Sequence, residues 1–157
     1  MEVSGPSYLL REAAPPAGRD GALWLLEAAG WSPGRLAHWA TSGTLLELYD
    51  PADAIPCGAA IVAPMEDATY ALRAWATTLD TADRAVAGRL VRAIADALRR
   101  SGARRVVASV DHADRRSITL LLEAGFRICD VDRAGPPYAN DGSCDPAWDL
   151  VLMDQEL

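Results

Sequence analysis

The chain predicts an α/β fold, a mixed central sheet flanked by helices in the order β-α-α-β-β-β-α-β-α-β-β. Three observations carry this. Four stretches repeat apolar residues at helical spacing, each ends at or near a glycine, and strand-like runs alternate with them. At 157 residues, half of them apolar and 24% charged, the composition is that of one globular domain spanning 1–157.

"SYLLREA" (Ser7 to Ala13) reads as the first strand and ends before Pro15 and Pro16. Asp20 can cap a helix carrying Leu23, Leu26 and Ala29, which stops at Gly30. Ser32 and Pro33 open a second helix, since serine caps and proline suits the first turn; it carries Leu36 and Trp39 to near Gly43. Three strands follow: "TLLELYD", "CGAAIVA" and "TYALRAWATTL". In the last, alternation places Tyr70, Leu72, Ala74 and Ala76 on one face and Arg73, Trp75 and Thr77 on the other.

The strongest helix spans roughly Ala82 to Ser101, with Val86, Leu90, Ile94, Ala97 and Leu98 as its buried stripe and Arg92 paired to Asp96. "RRVVASV" is a buried strand. Asp114 then caps a short helix, "SITLLLEAGF", with Ile118, Leu121 and Leu122 on one face and Gly125 at its left-handed end. "FRICDVD" and "WDLVLM" are the last strands, separated by the polar loop "RAGPPYANDGSCDPA".

A net charge of −7 argues against nucleic acid and against a basic membrane-binding surface, and favours cationic or amine partners. All 15 Lys/Arg residues are arginine, which removes lysine Schiff-base chemistry. The start lacks a basic segment and a sustained apolar core, so no signal peptide is expected, and no apolar run is long enough to span a bilayer. Cys57, Cys129 and Cys144 are odd in number and form no CxxC pair, which suits a reduced, cytoplasmic chain.

"YLLREA" and "SITLLLEAGF", together with the element order, resemble the GNAT superfamily of N-acetyltransferases over nearly the whole chain. The resemblance implies acetyl-CoA, or another acyl-CoA, as cosubstrate and a small-molecule amine as acceptor. The expected oligomer is a homodimer. It places the pantetheine arm against Thr77, Thr78 and Leu79, and the phosphates at the start of the long helix. There the family's Arg/Gln-x-x-Gly-x-Gly/Ala turn corresponds to "LDTADRAVAGRL", that is Arg84, Ala85, Val86, Ala87, Gly88 and Arg89. A helix start suits anions because its first amides are unpaired.

This sequence departs from the pattern. With Gly88 set on the last glycine, Val86 replaces the first, and Asp83 stands where the arginine belongs. Asp80 and Asp83 would compete with a phosphate for the same amides, each worth about 0.3–1 kcal/mol to the helix. Arg84 and Arg89 would offset this by direct contacts. The alternative is a well-capped helix with a solvated arginine face. In the short helix, Leu121 occupies the position of the family's proton-donating tyrosine, and Asp114 that of its helix-start asparagine.

Two residues are candidate catalysts. Glu47, bracketed by leucines in its strand, would serve as a general base if desolvated, or else alternates outward to water. His112, in "DHAD", would be a base or substrate contact, or a loop histidine without a role; the same stretch lacks a further ligand for a metal, and no metal is expected. Trp75, Tyr138 and Trp148, with Asp141, Asp145 and Asp149, would suit a cationic acceptor by charge and cation–π contact. The loop carrying most of these residues reads equally as a solvated turn. The alternative function is the same fold without acyl transfer, used for ligand binding or another reaction.

Overall fold

A computed structural model describes residues 8–13, 17–78, 84–132 and 150–157. Leu79, Asp80 and Asp83, and the loop residues Tyr138, Asp141, Cys144, Asp145, Trp148 and Asp149, lie outside them. Of Arg84 and Ala85 only the backbone is described.

The element order is the expected one: β1 Leu9–Glu12, α1 Ala17–Ala28, α2 Pro33–Ser42, β2 Thr44–Asp50, β3 Asp53–Pro64, β4 Thr69–Thr77, α3 Arg84–Arg100, β5 Arg105–Asp111, α4 Arg115–Glu123, β6 Arg127–Asp132 and β7 Leu150–Glu156. The strands form one sheet, β1-β2-β3-β4-β5-β7-β6. Every neighbouring pair is antiparallel except β4 and β5, which run parallel with α3 as the crossover. Among the described residues, no helix is long and apolar enough to cross a membrane.

Two apolar layers sandwich the sheet. One holds Leu48, Val62, Leu72 and Val106 against Leu90, Val91 and Ile94 of α3 and Leu120 and Leu121 of α4. The other holds Leu45, Ile61, Ala74 and Ala76 against Ala22, Leu25 and Leu26 of α1 and Leu36 of α2.

Several helix faces are rotated from the expected stripes. In α4 the buried side chains are Leu120 and Leu121, while Leu122 is exposed. In α3, Val91 and Ala95 are buried alongside Val86, Leu90, Ile94 and Leu98, whereas Ala97 is only half-buried. In α1, Ala22, Leu25 and Leu26 pack inward, and Ala29, just past its end, is exposed. Each helix contains more apolar positions than one face can bury, so docking onto the sheet selects among them. Asp96 pairs with Arg99, at 2.7 Å, rather than with Arg92.

β3 begins four residues before the expected Cys57, because Pro56 does not end it. The pairing to β2 passes from Gly58 opposite Leu48 to Pro56 opposite Tyr49, skipping Cys57. A bulge is where a strand tolerates a residue with no N–H.

Asp154 of β7 is buried and receives Arg105 Nε at 2.8 Å and Arg127 Nε at 3.0 Å, tying β5, β7 and β6 together. Burial pushes its carboxyl up, but the hydrogen bonds from Arg105 and Arg127 outweigh it and hold the group below its ordinary range. Stability from this group is therefore complete above about pH 4, the ordinary aspartate value, and is lost as pH falls through the lowered folded value. Asp154→Asn is expected to cost about 1–3 kcal/mol at pH 7. The gap to the wild-type chain should narrow below pH 4, as urea unfolding at pH 7 and pH 3 would show.

Gly125 ends α4 with a φ of +101°, and a Cβ there would lie 2.9 Å from Gln155 Nε2. Gly125→Ala therefore meets both backbone strain and a close contact. A loss of about 1–2 kcal/mol is expected in thermal unfolding.

Candidate active site

The site begins at a misfit in the sheet. Ile61 of β3 pairs with Ala74 and the next residue, Val62, pairs with Leu72, so Arg73 is an extra residue in β4. The single insertion reverses the alternation downstream. Tyr70 and Leu72 therefore pack toward α3, whereas Ala74 and Ala76 pack toward α1 and α2. These four residues, expected on one face, are split between two, and Trp75 lies on the face of Leu72.

The bulge also ends the β4–β5 pairing. The two strands pair from Thr69/Arg105 to Leu72/Ala108 and no further, although β4 continues to Thr77 and β5 to Asp111. A gap opens between parallel strands. Thr78 N–H donates to Cys57 C=O at 2.9 Å, so by the alternation of an antiparallel ladder Ala76 and Ala74 also bond toward β3. The main-chain groups of Trp75 and Thr77 then face the gap. The Trp31 indole N–H occupies one of them, donating to the Trp75 C=O at 3.1 Å.

Two clefts meet at this gap. The α4-side cleft, about 760 Å³, is lined by Trp75, Thr77, Thr78, Ala87 of α3 and the first turn of α4, Arg115, Arg116 and Ser117. The α2-side cleft, about 660 Å³, is lined by Trp31, Arg35, Trp39, Arg73, Asp111 and the open face of β5 and β7. Trp31, Trp75 and Asp114 line both. Trp31 stands edge-on to Trp75 and Trp39, with ring centroids at 5.6 and 5.9 Å. Edge-to-face contacts of this kind hold the wall between the clefts.

The expected residues fall unevenly on this geometry. Trp75, Thr77, Thr78, Ala87 and Asp114 line the α4-side cleft. Asp114 caps α4, accepting the Ser117 N–H at 3.1 Å. Residues 84–88 are regular helix, with positive φ at none of them. Val86 turns its side chain into the core, so this backbone asks for no conformation that valine lacks. A Cβ at Gly88 would meet only the end of Arg92, at 3.7 Å. Arg89 carries its guanidinium over Tyr8, 5.4 Å from the ring.

Glu47 and His112 line neither cleft. Glu47 is 2% exposed in β2, two strands from β4, and does not alternate outward to water. The reason is Arg11, opposite it in β1, whose Nε donates to Glu47 Oε1 at 2.5 Å. That bond, against desolvation, raises the Arg11 guanidinium above its ordinary value, and Arg11 also stacks 3.8 Å from the Tyr49 ring. His112 is exposed, with Nδ1 3.5 Å from Asp111 Oδ1. Leu121 is wholly buried. At about 1.5–3 kcal/mol for burying a leucine, it serves the core.

Sequence reasoning missed Arg115 and Arg116, although the signal was present: two cations in the first turn of a helix oppose its macrodipole and suit a nearby anion. It also missed Arg35 and Trp39, four residues apart in α2, which lie along one cleft wall with Trp31 just before that helix.

No family model and no curated protein matches the chain. Solved structures match its fold. An IAA acetyltransferase from Bacillus cereus superposes with a TM-score of 0.76 at 16% identity, covering 96% of this chain and 100% of that one. A Bacillus subtilis acetyltransferase in complex with CoA gives 0.76 at 16% identity, covering 98% and 99%. A GNAT family acetyltransferase from Elizabethkingia anophelis with acetyl-CoA bound gives 0.75 at 19% identity, covering 98% and 99%. At these identities the likeness shows a shared fold.

Trp31→Phe should keep the ring contacts and lose the hydrogen bond to the Trp75 carbonyl. A cost of about 1 kcal/mol is expected in thermal unfolding, with Trp31→Ala costing more.

Proposed function

We propose that the chain is an acyl-CoA-dependent N-acyltransferase that moves an acetyl or similar group to the amino group of a small molecule. The observation that carries this is the gap between β4 and β5, where two clefts meet. Acyl-CoA would enter from the α4 side and the amine from the α2 side. Two structures of this fold hold CoA and acetyl-CoA, which supports the assignment. A cytoplasmic setting, where acyl-CoA is made, belongs to the same proposal.

The α4-side cleft suits this substrate. The main-chain groups of Trp75 and Thr77 that face the gap have no strand partner in β5 and suit the pantetheine amides, with Thr78 continuing that wall. The Trp75 N–H is the donor for the thioester oxygen, where negative charge grows during attack. The helix start from Arg84 to Arg89 and the exposed Arg115 and Arg116 are the phosphate contacts.

The amine attacks the thioester carbon, a C–N bond forms and the C–S bond breaks. The amine's proton leaves through water, because Glu47 and His112 line neither cleft. The departing thiolate takes its proton from water too, because Leu121 has none to give. The observation favouring the alternative, a ligand-binding protein on the same fold, is that Leu121 is sealed in the core.

Calorimetric titration with acetyl-CoA and with CoA tests the proposal. Micromolar binding is expected, with Arg115→Ala and Arg116→Ala each weakening it about threefold to tenfold, less at high salt. No binding up to millimolar concentration would sink acyl transfer and leave the alternative.

A further inference from the structure

We infer that the acceptor amine also carries a carboxylate and an apolar or aromatic body, and that Arg73 holds the carboxylate in the α2-side cleft. The fate of the amine rests on the acyl-transfer reading above; the chemistry of the cleft does not.

The chain is acidic overall, at −7, yet this cleft gathers Arg35, Arg73 and Arg105 in its lining. Most of the charge there is already committed. Arg105 is bound to Asp154, and Arg35 is engaged. Of the two carboxylates in the lining, Asp111 Oδ1 accepts the Ala113 N–H at 2.9 Å and Asp114 Oδ1 accepts the Ser117 N–H at 3.1 Å, and neither is paired with Arg73. Arg73 has no hydrogen-bond or ion-pair partner among the described residues. A planar guanidinium with its fork open matches a carboxylate by two parallel N–H···O bonds.

Position adds a second constraint. Arg73 is the bulged residue, set where the gap opens, and two residues of strand, about 7 Å, separate it from Trp75 at the junction of the clefts. That separation is within the reach of the long arginine side chain, so one small molecule can set its carboxylate on Arg73 and its amine at that junction. The ammonium would approach Asp114, the acid that lines both clefts, before losing its proton. The same cleft is lined by Trp31 and Trp39 and by Leu150 and Leu152 of β7, surfaces for an apolar or aromatic side chain. A polycationic amine would instead bring surplus positive charge against an unpartnered arginine.

The test uses the tryptophans of the cleft as reporters. N-acetylphenylalanine and its carboxamide are titrated into the whole protein while tryptophan fluorescence is followed, alongside the acetyl-CoA calorimetry. The acid should bind at least tenfold more tightly than the amide. Arg73→Ala should abolish that difference, and Arg73→Lys should keep part of it. In turnover, phenylalanine should exceed phenethylamine tenfold in kcat/KM, mainly through KM, and Arg73→Ala should level the two. Equal binding of acid and amide, no binding of either, or a preference unchanged in Arg73→Ala would overturn the inference. Acid-selective binding without acetyl-CoA binding would keep the inference about the cleft and remove acyl transfer. Acyl transfer without acid preference would do the reverse.

Discussion

One surplus residue in β4 organises this molecule. A strand can carry an extra residue only by breaking register, and the break at Arg73 has two consequences at once. It turns Ala74 and Ala76 away from the face of Leu72, so that small side chains lie beneath α1 and α2. It also ends the hydrogen bonding of β4 to β5 and leaves main-chain polar groups facing a gap in the middle of a sheet. Such groups are costly when buried without partners. One of them, the Trp75 C=O, is met by the Trp31 indole N–H.

The rest of the architecture supports that gap from both sides. Beyond it, β5, β7 and β6 are held as a unit by Asp154 between Arg105 and Arg127. Before it, β1 is tied to β2 by Arg11 on the buried Glu47. Both are carboxylates sunk in the sheet and matched by arginines from adjacent strands, and both act as fasteners. The parallel pair between these halves has only four registered residue pairs, Thr69/Arg105 to Leu72/Ala108. The apolar layer under α3 and α4, in which Leu121 is wholly buried, carries the load that strand pairing there does not.

Much of the fold was legible. Among the described residues, four helices and seven strands occur in the expected order, because apolar periodicity and glycine stops are local signals. The α4 cap at Asp114 and its left-handed end at Gly125 are written in single residues. Helix faces were read less well, since Leu122 and Ala97 compete with Leu120 and Ala95 for the same sheet, and only docking chooses. The site was legible in part. Trp75, Thr77 and Thr78 belong to a run that had to end beside a helix start. Glu47 was not legible, because a carboxylate between leucines gives no sign of the arginine 36 residues earlier that faces it across the strands.

The sequence by itself determined the element order, the helix ends and the apolar supply for two layers, since these depend on residues a few positions apart. The tertiary structure alone decided which face each β4 residue takes, that β4 and β5 part after Leu72, and that Arg73 is left in the α2-side cleft without a partner among the described residues. Those outcomes depend on the register of β3 against β4. Register is settled when whole strands pair and both faces compete for burial, and a strict period of two along one strand carries no trace of it.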